Sequence, residues 1–159
     1  MLNDASILVV DDEEIMREIL ESLLTREGCR VQLASSGEES LELAKAGSFD
    51  AAIVDVMMPG IDGIQTLKEL KRLDDDLPVI MITAFGTSSN TREAFKQGAF
   101  DFVEKPFKND DVLVVVRNAV AQHRLVAENR SLRQSLQAQS HRFSDIIGRS
   151  PRMQQVFDL

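Results

Sequence analysis

Five polar residues in this chain stand where polar side chains are costly to place. Asp11 and Asp12 close the run ILVVDDEE, Asp55 closes AAIVD, Thr83 closes VIMIT, and Lys105 follows FDFVE. Each ends a short apolar run of the kind that forms a strand buried on both faces. Neighbouring carboxylates at the end of such a strand repel each other and resist losing their water. Three clustered carboxylates therefore call for a cation. Oxygen-only ligands with no convergent His or Cys suit a hard ion, Mg2+ rather than Zn2+. Mg2+ is usually held by one or two carboxylates with water and phosphate, which leaves one carboxylate free to act as a nucleophile and form an acyl phosphate. Asp55 is the expected nucleophile, with Asp11 and Asp12 placing the metal. Lys105 and Thr83 suit the neutralisation of phosphoryl oxygens. Taken singly, each has a plainer reading. Asp11 or Asp12 could cap the next helix, with Glu13 and Glu14 in its first turn. Asp55 could open a turn, Thr83 could serve the strand, and Lys105 could lie on the surface.

The elements that must bring them together are legible as apolar runs at Ile7–Val10, Val31–Ala34, Ala51–Val54, Val79–Ile82 and Phe100–Val103. Helical patterns separate them. In 13–26, Ile15, Ile19, Leu20, Leu23 and Leu24 share one face, with Glu14, Arg17, Glu18 and Glu21 elsewhere and Gly28 beyond as a stop. Ser36 is placed to cap a second helix ahead of Gly47. A third helix is expected over 62–72, carrying Ile64, Leu67 and Leu70, and a short one near 88–97. Strand and helix alternate five times, which implies parallel strands with right-handed crossovers in a doubly wound α/β domain. The carboxyl ends of all five strands then share one edge, and the five polar residues converge there.

The rest bounds the class. The chain has 159 residues, enough for one ordinary domain and something extra. Its net charge of −8 argues against a nucleic-acid surface on this stretch. A single cysteine, Cys29, excludes an internal disulfide and is expected to be a small buried residue in a reducing, cytoplasmic setting. MLNDASILVV has no signal-peptide pattern, and no apolar run reaches the ~20 residues of a membrane span. Residues 1–108 hold 11 basic and 21 acidic side chains, and 109–159 hold 7 and 5, so a boundary near 108 is expected.

From Asp110 the pattern becomes one long helix without Gly or Pro to residue 139. Leu113, Val116 and Val120 are placed to lie on the domain. Leu125, Asn129, Leu132, Leu136 and Gln139 follow at spacings of 4, 3, 4 and 3, a short heptad seam with Asn129 at an a-like position. The seam predicts a homodimer; its alternative is a solvated linker. His123 and His141 are expected to face solvent. FSDIIGRSPRMQQVFDL begins new structure, with Ser150-Pro151 as a helix start, so the chain is expected to be part of a longer protein.

VVDDEE, IVDVMMPGIDG, VIMITAFG and FDFVEKPF, in this order and spacing, resemble the receiver domain of bacterial two-component response regulators. The resemblance covers residues 6 to about 120. It implies a five-stranded, flavodoxin-like sheet in the order 2-1-3-4-5. It implies that Asp55 accepts a phosphoryl group from a phosphohistidine on a sensor histidine kinase, and that Asp11, Asp12, Asp55 and the backbone carbonyl of Met57 organise Mg2+. Thr83 and Lys105 would contact the phosphoryl oxygens, the Lys105–Pro106 peptide would be cis, and Phe102 would be the switch aromatic that turns inward with Thr83. Phosphorylation would repack the surface of the fourth helix, fifth strand and fifth helix. DIIGRSPRMQQVF is similar to the opening of the AAA+ ATPase domain of NtrC-type sigma-54 activators. The implied organisation is a receiver over 1–120, a helical dimerisation linker over 121–141, and a truncated start of an AAA+ domain over 142–159. In the whole protein this would act on sigma-54 RNA polymerase at DNA. No G-x-x-x-x-G-K-[ST] is present, so this stretch is not expected to hydrolyse ATP. It is expected to catalyse only its own phosphoryl transfer and dephosphorylation.

Two rivals stand beside this reading. A pseudo-receiver would be an interaction module that never takes up phosphate. A Mg2+-dependent phosphatase or hydrolase would use Asp55 as nucleophile. The latter usually needs a general acid close by, and the residue two beyond Asp55 is Met57, which cannot serve.

Overall fold

The computed structural model describes residues 4–58, 60, 62–84 and 89–147, and all their side chains except those of 89–91, 93, 131 and 133–147. The elements alternate without exception: β1 (Ser6–Val10), α1 (Glu14–Arg26), β2 (Arg30–Ala34), α2 (Gly37–Ala46), β3 (Ala51–Asp55), α3 (Gly63–Leu73), β4 (Val79–Thr83), α4 (Ser89–Lys96), β5 (Asp101–Glu104) and α5 (Asn109–Ile147). All pairings are parallel and the sheet order is β2-β1-β3-β4-β5, the flavodoxin-like order. By its internal contacts the chain forms two units, residues 1–123 and 124–159.

The continuous apolarity of the inner strands has a direct cause. Alternate residues feed two cores, one on each face of the sheet. Ile7, Val9, Ile53, Ile80, Ile82 and Val103 meet Leu20, Leu23 and Leu24 of α1 and Val112, Val116, Ala119 and Val120 of α5. Leu8, Val10, Ala52, Val54, Val79 and Met81 meet Ile64, Leu67 and Leu70 of α3 and Ala94 of α4. β2 departs from the expectation of a fully buried strand: Val31 and Leu33 are half-buried, and Arg30 and Gln32 are exposed. It is one of the two edge strands, where one face is less covered, so its residues alternate in burial. Helix α1 also departs. Ile15 and Ile19 are 71% and 43% exposed, and Met16 packs on the core in their place. A helix lying on a sheet buries a narrower stripe than the apolar pattern offered.

The helix ends are built locally. Ser36 accepts from Glu39 N–H, and Asp62 from Gln65 N–H. After α1, Gly28 adopts φ +91°, its N–H donates to Thr25 O and that of Cys29 to Leu24 O, a Schellman stop in which glycine takes the left-handed conformation without a Cβ clash. Cys29 is buried. His123 differs from expectation: its Nδ1 lies 3.1 Å from Asp50 Oδ1, and its side chain is mostly buried. Asp50 Oδ2 also accepts from Ser6 N–H. The pairing has a sequence separation of 73, which no local pattern displays. Leu125, Asn129 and Leu132 are exposed on the chain. The side chains of Leu136, Gln139 and His141 lie outside the described residues, as does 148–159 of the expected ATPase segment. α5 continues to Ile147, past the expected linker end at 141. The first glycine after Gly98 is Gly148, so no breaker stops the helix earlier. No helix among the described residues is long and apolar enough to cross a membrane.

Candidate functional site

Asp55 is the last residue of β3, the central strand, and its carboxylate is 4% exposed as a residue. Asp11 follows β1, the neighbouring strand, and is 1% exposed. Strand order reverses between these two strands, so the crevice at their carboxyl ends is where a doubly wound sheet holds ligands. The sheet ladder runs on beyond the strands here. Asp11 N–H donates to Ala34 O at 3.1 Å, Val56 N–H to Ile82 O at 2.9 Å, and Lys105 N–H to Thr83 O at 2.8 Å. These bonds fix the backbone at Asp11, next to Asp55 and at Lys105.

Carboxylate oxygens of Asp11, Asp12, Glu13 and Asp55 all come within 4.8 Å of one another. Asp55 Oδ1 accepts from Met57 N–H at 3.1 Å, and Oδ2 faces Lys105 Nζ at 3.3 Å. Asp11 Oδ1 accepts from Glu13 N–H at 2.9 Å, whereas the buried Asp11 Oδ2 has no protein partner. A buried carboxylate oxygen normally has one. Burial pushes the Asp11 carboxyl up to about 6; the Glu13 N–H opposes that, Asp55 reinforces it, Lys105 opposes it and Asp12 reinforces it. An all-oxygen acidic set with an orphaned buried oxygen fits a hard divalent cation.

The structure thus brings Asp11, Asp12 and Asp55 together and sets Lys105 against Asp55. Thr83 ends β4, is buried, and is tied to Lys105 through its backbone. The Lys105–Pro106 peptide is cis. Phe102 is half-buried on β5 and stacks edge-on against Phe95 of α4, with centroids 5.7 Å apart at 80°. A shallow cavity along β5 and α5 is lined by Phe102, Glu104, Lys105, Pro106, Asp111 and Val115.

Three residues of the site escape sequence reasoning. Glu13 joins the acidic cluster although the pattern offered it only to the first turn of α1; its adjacency to Asp11 and Asp12 was the available signal. Arg17 donates from Nη1 to Asp11 O at 2.7 Å. Gly63 opens α3 against the end of β3, where a Cβ would overlap backbone atoms of Asp55 and Val56. IDG marked a turn, but not this contact.

A flavodoxin-like parallel sheet with a cluster of acids and one lysine at its carboxyl edge defines the class. The chain belongs to the response regulator receiver domain family, whose pattern matches residues 7–117. It is similar to the C4-dicarboxylate transport transcriptional regulatory protein DctD of Pseudomonas aeruginosa, 38% identical over 151 residues that cover 94% of this chain and 32% of DctD. It is also similar to the transcriptional regulatory protein FixJ of Bradyrhizobium diazoefficiens, 33% identical over 158 residues, 99% of this chain and 74% of FixJ. Among solved structures, NtrX from Brucella abortus in complex with ADP matches with a TM-score of 0.77 at 31% identity, over 87% of this chain and 34% of NtrX. The chain therefore spans about a third of the length of DctD.

Proposed function

We propose that this chain is a phosphorylation-dependent signalling switch with Asp55 as phosphoacceptor. The observation that carries the reading is the convergence of the Asp11, Asp12 and Asp55 carboxylates within 4.8 Å beside the Lys105 ammonium. The donor is a phosphohistidine on a sensor histidine kinase. A carboxylate oxygen of Asp55 attacks phosphorus; the O–P bond forms as the N–P bond breaks, and the imidazole nitrogen leaves with the electron pair and takes a proton. Asp11, Asp12, Asp55 and the Met57 carbonyl would hold Mg2+, which when bound neutralises the clustered acids and phosphoryl oxygens. Lys105 supplies a point charge to the incoming phosphoryl group, and Thr83 donates a hydroxyl hydrogen bond. The domain thereby catalyses only its own phosphorylation and dephosphorylation.

The output is the face of α4, β5 and α5. Added charge beside Thr83 draws it inward, Phe102 turns from its place beside Phe95, and that face repacks. The wider reading assigns a receiver to 1–120, a dimerising linker to 121–141 and the start of an AAA+ ATPase domain to 142–159, in a cytoplasmic sigma-54-dependent activator working with RNA polymerase at DNA. Likeness to DctD, to regulators named NtrC, and to NtrX solved with ADP supports it.

Intact-mass spectrometry after incubation with a small-molecule phosphodonor tests the chemistry. A single added phosphoryl group that requires both Mg2+ and Asp55, and is lost in Asp55→Asn, is the expected result. No addition to wild type, repeated with the cognate kinase, would leave a pseudo-receiver.

A further inference from the structure

Arg17 of α1 takes no part in the phosphoryl transfer itself, yet it reaches the loop that carries the first acid. Its Nη1 donates to the backbone carbonyl of Asp11 at 2.7 Å. The other groups of Asp11 are held too. Its N–H donates to Ala34 O at 3.1 Å, and its Oδ1 accepts from Glu13 N–H at 2.9 Å. The atom left over is Oδ2, buried and without a protein partner. The N–H, the carbonyl and Oδ1 of Asp11 are thus tied to protein, and Oδ2 is left over in a residue that belongs to the acidic cluster.

The geometry points to Arg17 as the positioning residue for cation capture: it clamps the β1–α1 turn so that Asp11 Oδ2 is presented to the ion before the ion arrives. This rests on the reading of the cluster as a Mg2+ site. The clamp is needed because Asp11, Asp12, Glu13 and Glu14 follow one another in sequence. Without a cation these charges repel, and the turn relaxes by swinging the acids toward water. Asp11 is the member with most to gain from such a swing, because it is desolvated. A guanidinium on the carbonyl opposes the swing in two ways. It gives the negative end of the peptide a charged donor, and it brings a positive charge to an acidic turn. Arg17 lies one turn into α1, whose apolar side is packed through Leu20, Leu23 and Leu24, so the clamp is mounted on a fixed element.

Arg17→Gln keeps a hydrogen-bonding side chain of good helix propensity but removes the charge and the reach. Its Mg2+ affinity by isothermal titration calorimetry is expected to fall about tenfold, the usual size for residues that hold a metal ligand in place. Arg17→Lys is expected to recover most of that loss. Phosphorylation of Arg17→Gln should need more Mg2+ for half-maximal rate, with the rate at saturating Mg2+ close to wild type. In metal-free protein the Glu13 amide, which is bonded to Asp11 Oδ1, should exchange its hydrogen several-fold faster. A folded Arg17→Gln with wild-type Mg2+ affinity and wild-type exchange at Glu13 would overturn the clamp. Arg17→Met carries the same test if the glutamine variant does not melt cooperatively. Wild type that binds no Mg2+ would instead remove the reading of the cluster itself.

Discussion

Asp11 is held in the metal-free domain against its own charge. Its carboxyl sits at about 6 in the fold against 3.8 in an unperturbed chain, with burial the largest cause. A folded-state value above the unfolded one means that the fold binds the proton more tightly. The stability Asp11 contributes is therefore complete below 3.8 and lost as pH rises through about 6. At neutral pH its ionised form costs the metal-free fold on the order of 3 kcal/mol. Asp11→Asn should then melt higher than wild type at neutral pH without Mg2+, with the advantage shrinking as pH falls through about 6. Thermal melts across pH check this, and an advantage independent of pH would refute it. Added Mg2+ should narrow the difference at neutral pH, because only the carboxylate gains. The same residue shows what could be read in advance. Asp11, Asp12, Asp55, Thr83 and Lys105 were legible because each interrupts an apolar run at its end. Arg17 and the Asp50–His123 pair were not, because an arginine on a charged helix face or a histidine in a basic segment looks solvated until a distant partner is known.

At the scale of elements, the alternation of strand and helix was readable because inner strands buried on both faces lose their alternation, whereas helices keep a stripe. Strand bounds moved by a residue: β5 runs Asp101–Glu104 where the apolar run suggested Phe100–Val103. Exposure on α1 and β2 was misjudged, because sequence gives the width of an apolar stripe but not how much neighbouring elements cover. The junction of β3 and α3 was the hardest to foresee. Gly63 there is constrained by space rather than by φ: its N–H donates to Val56 O at 3.0 Å, and the backbone of Asp55 fills the place of a side chain. Gly63→Ala must push α3 away from the strand that carries Asp55, so it should cost more than about 2 kcal/mol in urea unfolding. It should also weaken phosphoryl uptake. Gly47 provides the control. It adopts an extended backbone at φ −151°, and an added Cβ would meet only Leu43 O at 3.9 Å. Gly47→Ala should fall within about 0.5 kcal/mol of wild type. Equal losses at both sites would show that the close approach at Gly63 does not set the cost, since the lower chain entropy of alanine favours the fold at either position.

For the whole molecule, the open question is whether two copies meet along the second half of α5. Leu125 and Leu132 are 60% and 55% exposed, and single exposed leucines need no partner. Their spacing argues otherwise, since Leu125, Leu132 and Leu136 with Asn129 between them repeat at 7 and then 4 residues along one seam. Each leucine buried on association returns about 1.5–3 kcal/mol. Three from each chain then oppose an association cost of about 4–15 kcal/mol. The seam on this balance predicts a dimer of moderate strength rather than an obligate one. In such a dimer Asn129 would satisfy its counterpart only in register, which would select two chains at some loss of stability. Sedimentation at tens of micromolar should show a dimer for wild type and a monomer for Leu125→Glu combined with Leu132→Glu. The double variant should still take up one phosphoryl group at Asp55, because neither leucine is a member of the acidic cluster of Asp11, Asp12, Glu13 and Asp55. Asn129→Leu should stabilise the assembly while broadening it beyond a single species. A wild-type monomer at that concentration would remove the seam as an interface and leave the phosphoryl chemistry standing, since the two rest on different residues.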